Sequence, residues 1–264
     1  MELKNFDAII RRAKEEKKRC RVAIMAAEEA HVVDAVLMAA KAEIIYPIFC
    51  GDEDKIRELL RERGAESVGT IRHAASPAAA AAEAVRQIRI GKADFLMKGL
   101  IETSGAIRAI IDKDTGILQG RLISQMSITA FPSYHKVLGV TDGGIVRDQN
   151  LDNKIGILEN ALSALRALGY DAPKVAALCA IEKENPKMPE TVHAAELKRM
   201  AQAGLFGKCY VEGPISFDLA MNREAAEIKG YTSPVTGEPD ILVMPNLVSA
   251  NIFNKAIQIG RAHV

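Results

Sequence analysis

Three short stretches of this sequence combine residue types that can handle an anionic substrate. In KGLIETSGAIR, Lys98 and Gly99 close an apolar run, Thr103 and Ser104 open a helical pattern, and Arg108 follows about one turn later. Amides and hydroxyls at a helix start hold phosphate, and an arginine adds a bidentate contact. An ordinary capped helix with a surface arginine has the same pattern, so both readings stand. In TDGGI, Thr141, Asp142, Gly143 and Gly144 follow another apolar run. Their glycines let backbone approach a ligand, although Asp-Gly is also a common turn. In PNLVSANIFNK, Asn246 and Asn251 are placed to fix either a ligand or a loop. The chain carries neither G-x-G-x-x-G nor G-x-S-x-G, so a nicotinamide site and a nucleophile elbow have no sequence support.

The remaining chemistry-bearing residues are scattered. His31, His73, His135, His193 and His263 show no metal-ligand spacing, so no metal is expected. His135 is a candidate for a cleft wall or a satisfied structural histidine. Cys20, Cys50, Cys179 and Cys209 form no C-x-x-C pair and read as reduced cysteines, most of them packed in apolar runs. In GPISFDLAM, the proline reads as a turn before a helix, with Ser216 as cap and Asp218 near the positive helix end.

Lysine plus arginine (35) nearly balances aspartate plus glutamate (34), so no global field points to nucleic acid or a membrane surface, and an anionic ligand needs a local site. The absence of tryptophan argues against stacking platforms for single strands. The N-terminal stretch is amphipathic and charged rather than a signal peptide, and no run approaches the ~20 apolar residues of a membrane span. A soluble, cytoplasmic protein is expected.

The elements that must position these residues alternate. A helix from Phe6 to Lys18 precedes strands over Arg21–Ala27, Ile44–Gly51 and Ala93–Leu100, with helices over His31–Ala40, after Gly51 up to Gly64, and from Ser76-Pro77 to about Gly91. A helix over Ser104–Ile111 follows. Strands alternating with helices predict parallel βα units in an α/β architecture. The second half echoes the first: Lys174–Asn185, Gly207–Pro214 and Pro239–Leu247 repeat the three strand stretches in order, after a helix over Asn153–Leu168. Two related α/β lobes are expected, residues 1–138 and 139–258, the second incomplete, with a ligand cleft between them.

Residues 259–264 read as a non-native tail, because IGRAHV translates ATCGGAAGAGCACACGTC, a run found in common sequencing adapters. A truncated gene is the matching expectation.

Taken together, DFLMKGLIETSGAIRAII, SYHKVLGVTDGGI, VEGPISFDLAM and DILVMPNLVSANIFNK resemble, in that order, the phosphate acetyl-/butyryltransferase family. The resemblance runs from about Phe6 to Ile257, and the Lys98-Gly99-Leu100 stretch looks more like the butyryltransferase branch. It implies a two-lobe, isocitrate/isopropylmalate-dehydrogenase-like α/β fold, a homodimer, and exchange of coenzyme A for phosphate on a short acyl group, butyryl favoured, with coenzyme A as substrate or product and no resident cofactor. It implies direct attack of phosphate on the thioester in a ternary complex. Thr103, Ser104 and Arg108 match the family's phosphate-holding region, and the Thr141–Gly144 turn should line the cleft. The family's Ser-Arg catalytic motif falls beyond Val264, so catalytic residues stay unassigned and this chain is expected to form little acyl phosphate. The other readings are an acetyltransferase, a decarboxylating dehydrogenase, or a non-catalytic coenzyme A- or phosphate-binding fragment.

Overall fold

The structure, a computed structural model, describes residues 3–15, 19–118 and 120–261. The chain divides into two compact units, Ile9–Gly120 and Met1–Ala8 with Arg121–Val264. Helix α1 (Phe6–Glu15) starts the chain's regular structure, and its expected extension to Lys18 lies outside the described residues.

The Ile9–Gly120 unit holds β1 (Cys20–Met25), α2 (Ala30–Lys41), β2 (Ile45–Gly51), α3 (Glu53–Arg61), β3 (Thr70–His73), α4 (Pro77–Arg89), β4 (Phe95–Lys98) and α5 (Thr103–Ile111). Its sheet runs β3-β2-β1-β4 with every pair parallel. The two-residue period of the strands divides the core between two faces. Ala23 and Met25 of β1 join Ile48 and Cys50 of β2 against Ala80, Ala81, Ala84 and Val85 of α4. Ile24 and Phe49 point the other way, onto Val33 and Val36 of α2 and Ile56 and Leu60 of α3. Helix α4 starts as its sequence dictates: the Ser76 hydroxyl accepts from Ala79 N–H and Pro77 opens the first turn.

The second unit holds β5 (Met126–Thr129), β6 (Leu138–Thr141), α6 (Leu151–Ala167), β7 (Lys174–Leu178), α7 (Pro189–Gln202), β8 (Tyr210–Ile215), α8 (Phe217–Met221), α9 (Arg223–Ile228), β9 (Ile241–Val243) and α10 (Leu247–Arg261). Its sheet runs β5-β6-β9-β7-β8, antiparallel only between β5 and β6. Strand β7 lies between β8 and β9 as β1 lies between β2 and β4. The sequence echo is therefore an echo of strand order.

Two expectations change, and one strand lies where none was expected. The division falls at 120/121 rather than 138/139, because β5 pairs with β6 and Asn160 of α6 donates to Leu122 O, tying residues after Gly120 to the second sheet. Pro214 lies inside β8, not in a turn before a helix, and Ser216 holds the cap position of α8 without a side-chain capping bond. Strand β3 was not anticipated; it is a short edge strand, mostly exposed, with no run of apolar residues to announce it. No helix among the described residues is long and apolar enough to cross a membrane.

Two groups of buried polar or reactive side chains stand out, the first as the apolar runs around the cysteines led one to expect. Cys50 and Cys179 are buried free thiols whose pKa burial pushes up to about 12, which makes them poor nucleophiles. Lys154 on α6 is only 3% exposed, and its side chain makes no hydrogen bond or ion pair among the described residues. Burial pulls its pKa below the ordinary lysine value, against the opposing pull of Cys179 and Glu190. Nearby His193 Nδ1 is also buried without a partner, and its pKa is lowered by burial first and by Lys154 second. A lysine whose folded pKa is depressed costs stability below that pKa, and the cost fades as pH rises toward 10.5, the ordinary value. Lys154→Met should therefore raise stability at pH 7 by about 1–3 kcal/mol, with the gain shrinking as pH rises toward 10.5. Urea unfolding at pH 7 and pH 10 checks this; a destabilised variant at pH 7 contradicts it.

Candidate substrate-binding site

In the first unit the chain moves outward from β1 through β2 to β3, then returns to the other side of β1 for β4. The crevice beyond the carboxyl ends of β1 and β4 is thus the topological switch point, where open α/β sheets bind ligands. A cavity of about 910 Å³ opens there, lined by Lys98, Gly99, Thr103 and Arg108 together with Glu29, Leu100, Ile101 and residues of α4.

The register explains how these groups arrive. Lys98 pairs with Met25 at the end of β4, and the next two amides, Gly99 and Leu100, donate to Met25 O and Ala26 O at 2.8 and 2.7 Å. The chain crosses so closely over the end of β1 that a Cβ on Gly99 would stand 2.2 Å from Ala26 O. Ala26 itself has φ 56°, a left-handed conformation that costs a non-glycine residue about 1–2 kcal/mol. The Lys98 ammonium folds back onto Ile101 O (2.9 Å) and Gly99 O (3.2 Å), staying exposed at the cavity edge.

Helix α5 begins at Thr103, with Glu102 in the cap position and no side-chain capping bond. Thr103 and Ser104 therefore do not cap, although they open the helix. Their hydroxyls and the exposed Arg108 guanidinium make no hydrogen bond or ion pair among the described residues. The amides of Thr103 and Ser104 and the positive dipole end of α5 favour an anion, whereas Gly105 N–H already donates to Glu102 O at 2.9 Å; the start of α4, Pro77 and Ala78, borders the same cavity. Ser104 does not line the cavity, whereas Thr103 does.

Acidic groups there were not anticipated. Glu29, Glu102 and Asp112 line the cavity, and Asp112 is tied into its own turn. It accepts from the Thr115 hydroxyl (2.7 Å) and amide (2.8 Å) and from Asp114 N–H, bonds that hold its carboxyl below the usual range.

The other candidates gather in the second unit. Thr141 and Asp142 are buried at the end of β6. The Thr141 hydroxyl donates to Gln125 O, and the Asp142 carboxylate accepts from the amides of Gln125, Gly144 and Ile145 at 2.6, 2.8 and 2.8 Å. Asn251 of α10 donates to Gly143 O at 2.9 Å, and a Cβ on Gly143 would meet Asn254 Nδ2 at 2.6 Å. Asn246 Oδ1 accepts from Ser249 N–H, capping α10. These side chains build a tight turn seated on a helix, while Gly144 remains exposed. His135 is a network member, with Nε2 3.3 Å from Glu238 Oε2. No group of His, Cys, Asp and Glu suited to a metal occurs among the described residues.

Uncommitted hydroxyls, a free arginine and a helix start at the switch point of a parallel sheet are the equipment of an α/β protein that handles an anionic small molecule. Comparison with known proteins makes this specific. Residues 58–262 match the family described as phosphate acetyl/butaryl transferase, and the chain belongs to that family of phosphate acyltransferases. It is 34% identical over 256 residues to phosphate butyryltransferase of Clostridium acetobutylicum, covering 97% of this chain and 85% of that one. It is also 34% identical over 237 residues to phosphate acetyltransferase of Thermotoga maritima, covering 90% and 81%. Among solved structures, a branched-chain phosphotransacylase from Enterococcus faecalis V583 superposes with a TM-score of 0.75 at 28% identity, covering 91% of this chain and 84% of that one.

Proposed function

We propose that this protein exchanges coenzyme A for inorganic phosphate on a short-chain acyl group, with butyryl the preferred chain. The observation that carries the reading is the cavity at the end of β4, where Thr103, Arg108 and the start of α5 offer uncommitted anion-binding groups. Lys98 and Gly99 form its rim, and Ser104, in the same first helical turn as Thr103 but outside the cavity lining, is a further candidate for an anion. In the second unit, the Thr141–Gly144 turn, braced by Asn251, and the α10 cap residue Asn246 are further candidate substrate-binding groups. Coenzyme A enters and leaves as a substrate, and no resident cofactor is needed. Acetyl transfer is the second reading, favoured by equal identity to a phosphate acetyltransferase and a phosphate butyryltransferase.

The chemistry asks for two anionic substrates to be oriented together. Phosphate attacks the thioester carbonyl directly in a ternary complex, and the tetrahedral oxyanion needs nearby donors. The isocitrate-dehydrogenase-like arrangement of two α/β lobes and a homodimer belong to the same proposal. Arg108 is assigned to phosphate or acyl phosphate, so Arg108→Ala should weaken butyryl phosphate binding about tenfold to a hundredfold, as expected for a lost charge-assisted hydrogen bond. Calorimetry measures that, and phosphate-dependent thiol release from butyryl-CoA tests the activity. Release independent of phosphate would overturn the reading; coenzyme A binding without any release would reduce it to a binding scaffold.

A further inference from the structure

The cavity beside α5 has a wall that anion binding does not use. Helix α4 carries alanine on two faces. Ala80, Ala81 and Ala84 are buried against the sheet, whereas Ala78 and Ala82, four residues apart on one face, are exposed and line the cavity. Ile101 and Ala109 continue the wall, and Leu100 stands beside it with 57% of its surface exposed. A leucine left open at the rim of a cavity is surface that an apolar ligand group would cover. The volume, about 910 Å³, lies near the upper end of the ~300–1,000 Å³ common for small-molecule sites. Phosphate alone leaves most of it empty.

The polar and apolar groups bound one space. Lys98, Thr103 and Arg108 offer an anion site, and Ala78, Ala82, Ala109, Leu100 and Ile101 offer a dry strip beside it. A ligand with a charged or reactive head and a short aliphatic tail fits both parts. Bare coenzyme A lacks the tail, and phosphate lacks it too. We propose that the exposed alanine face of α4 holds the acyl chain, and that Ala82, assisted by Ala78, sets the length accepted. This rests on the acyltransferase reading above. Alanine at both positions keeps the strip deep, and a larger side chain at either would occupy the space of the distal methylenes.

The test compares binding of coenzyme A, acetyl-CoA, butyryl-CoA and hexanoyl-CoA by calorimetry. Ala82→Leu should weaken the butyryl and hexanoyl thioesters about tenfold or more relative to acetyl-CoA, leaving coenzyme A unchanged. Ala78→Leu, one turn nearer the helix start, carries the same expectation and serves if the first variant is poorly folded. Ala79→Leu is the control, because Ala79 is exposed on α4 outside the cavity and leucine is nearly as good a helix former as alanine. Equal weakening of all four ligands by Ala82→Leu would assign the groove to another part of coenzyme A and overturn the inference, as would no change at all. Failure of the unmodified chain to bind any of the four would instead overturn the acyltransferase reading itself.

Discussion

Lys136→Met is expected to destabilise the protein by about 3–5 kcal/mol, because it strands a carboxylate inside the second unit. Lys136 is fully buried, and its ammonium lies 2.6 Å from Asp240 Oδ1 and 2.9 Å from Glu238 O. Asp240 is itself 4% exposed and uses its other oxygen to accept from Lys174 N–H at 2.7 Å. That bond ties it to the start of β7, while its own carbonyl accepts from Gly139 N–H of β6. Two strands of the sheet thus register against one ion pair. Without the ammonium, Asp240 keeps a backbone donor but loses its counter-charge, and the nearby Glu238 loses one of the cations around it. Removing one member of a buried pair costs far more than replacing both, since the second change removes the orphan charge. The double variant Lys136→Met/Asp240→Asn should therefore recover part of the loss. Urea unfolding with a double-mutant cycle reads both quantities; a single-variant loss under 1 kcal/mol would mean that water reaches the site and the pair is only a surface bridge.

This ion pair also marks where sequence reading stops. The strands β1, β2 and β7 were legible because their apolar residues run continuously, as strands covered on both faces must. The start of α4 was legible because Ser76-Pro77 satisfies a helix end chemically, whatever packs around it. Lysines are read as exposed by default, and only tertiary context buries Lys136 and Lys154. The edge strand β3 has only Ile71 as an apolar residue, too little to announce a strand, so its pairing to β2 came from sheet geometry. At the candidate site, Lys98, Gly99, Thr103 and Arg108 fell on one cavity because a single strand-to-helix connection carries them all. The α4 wall was invisible: an alanine run announces a helix, but not which of its faces is left open. Likewise TDGGI announced a turn, whereas the seat it finds on Asn251 and Asn254 depends on residues more than a hundred positions away.

Two glycines of the cavity should respond in opposite directions to the same added methyl group. Gly99 is not held by a left-handed conformation; it is held by space, with Ala26 O 2.2 Å and Met25 O 2.7 Å from where its Cβ would stand. Both are backbone carbonyl oxygens at the end of β1 and just past it, and they accept the Leu100 and Gly99 amides, so they cannot retreat without breaking the link between β1 and the chain leaving β4. Gly99→Ala should therefore cost about 3 kcal/mol, as overpacking against an unyielding wall does. The shift would carry Lys98 and Leu100 with it, so binding of butyryl phosphate should weaken together with stability. Gly105, in the first turn of α5, meets only the Ile101 side chain, at 3.3 Å. That flexible side chain can give by a few tenths of an ångström, and alanine is favoured over glycine in a helix by about 0.5–1 kcal/mol. Gly105→Ala should be neutral or stabilising, although Gly105 lines the cavity as Gly99 does. Thermal unfolding of the two variants side by side gives the comparison. Equal losses would show that the cavity's backbone, rather than the approach of Gly99 to β1, limits what this site tolerates.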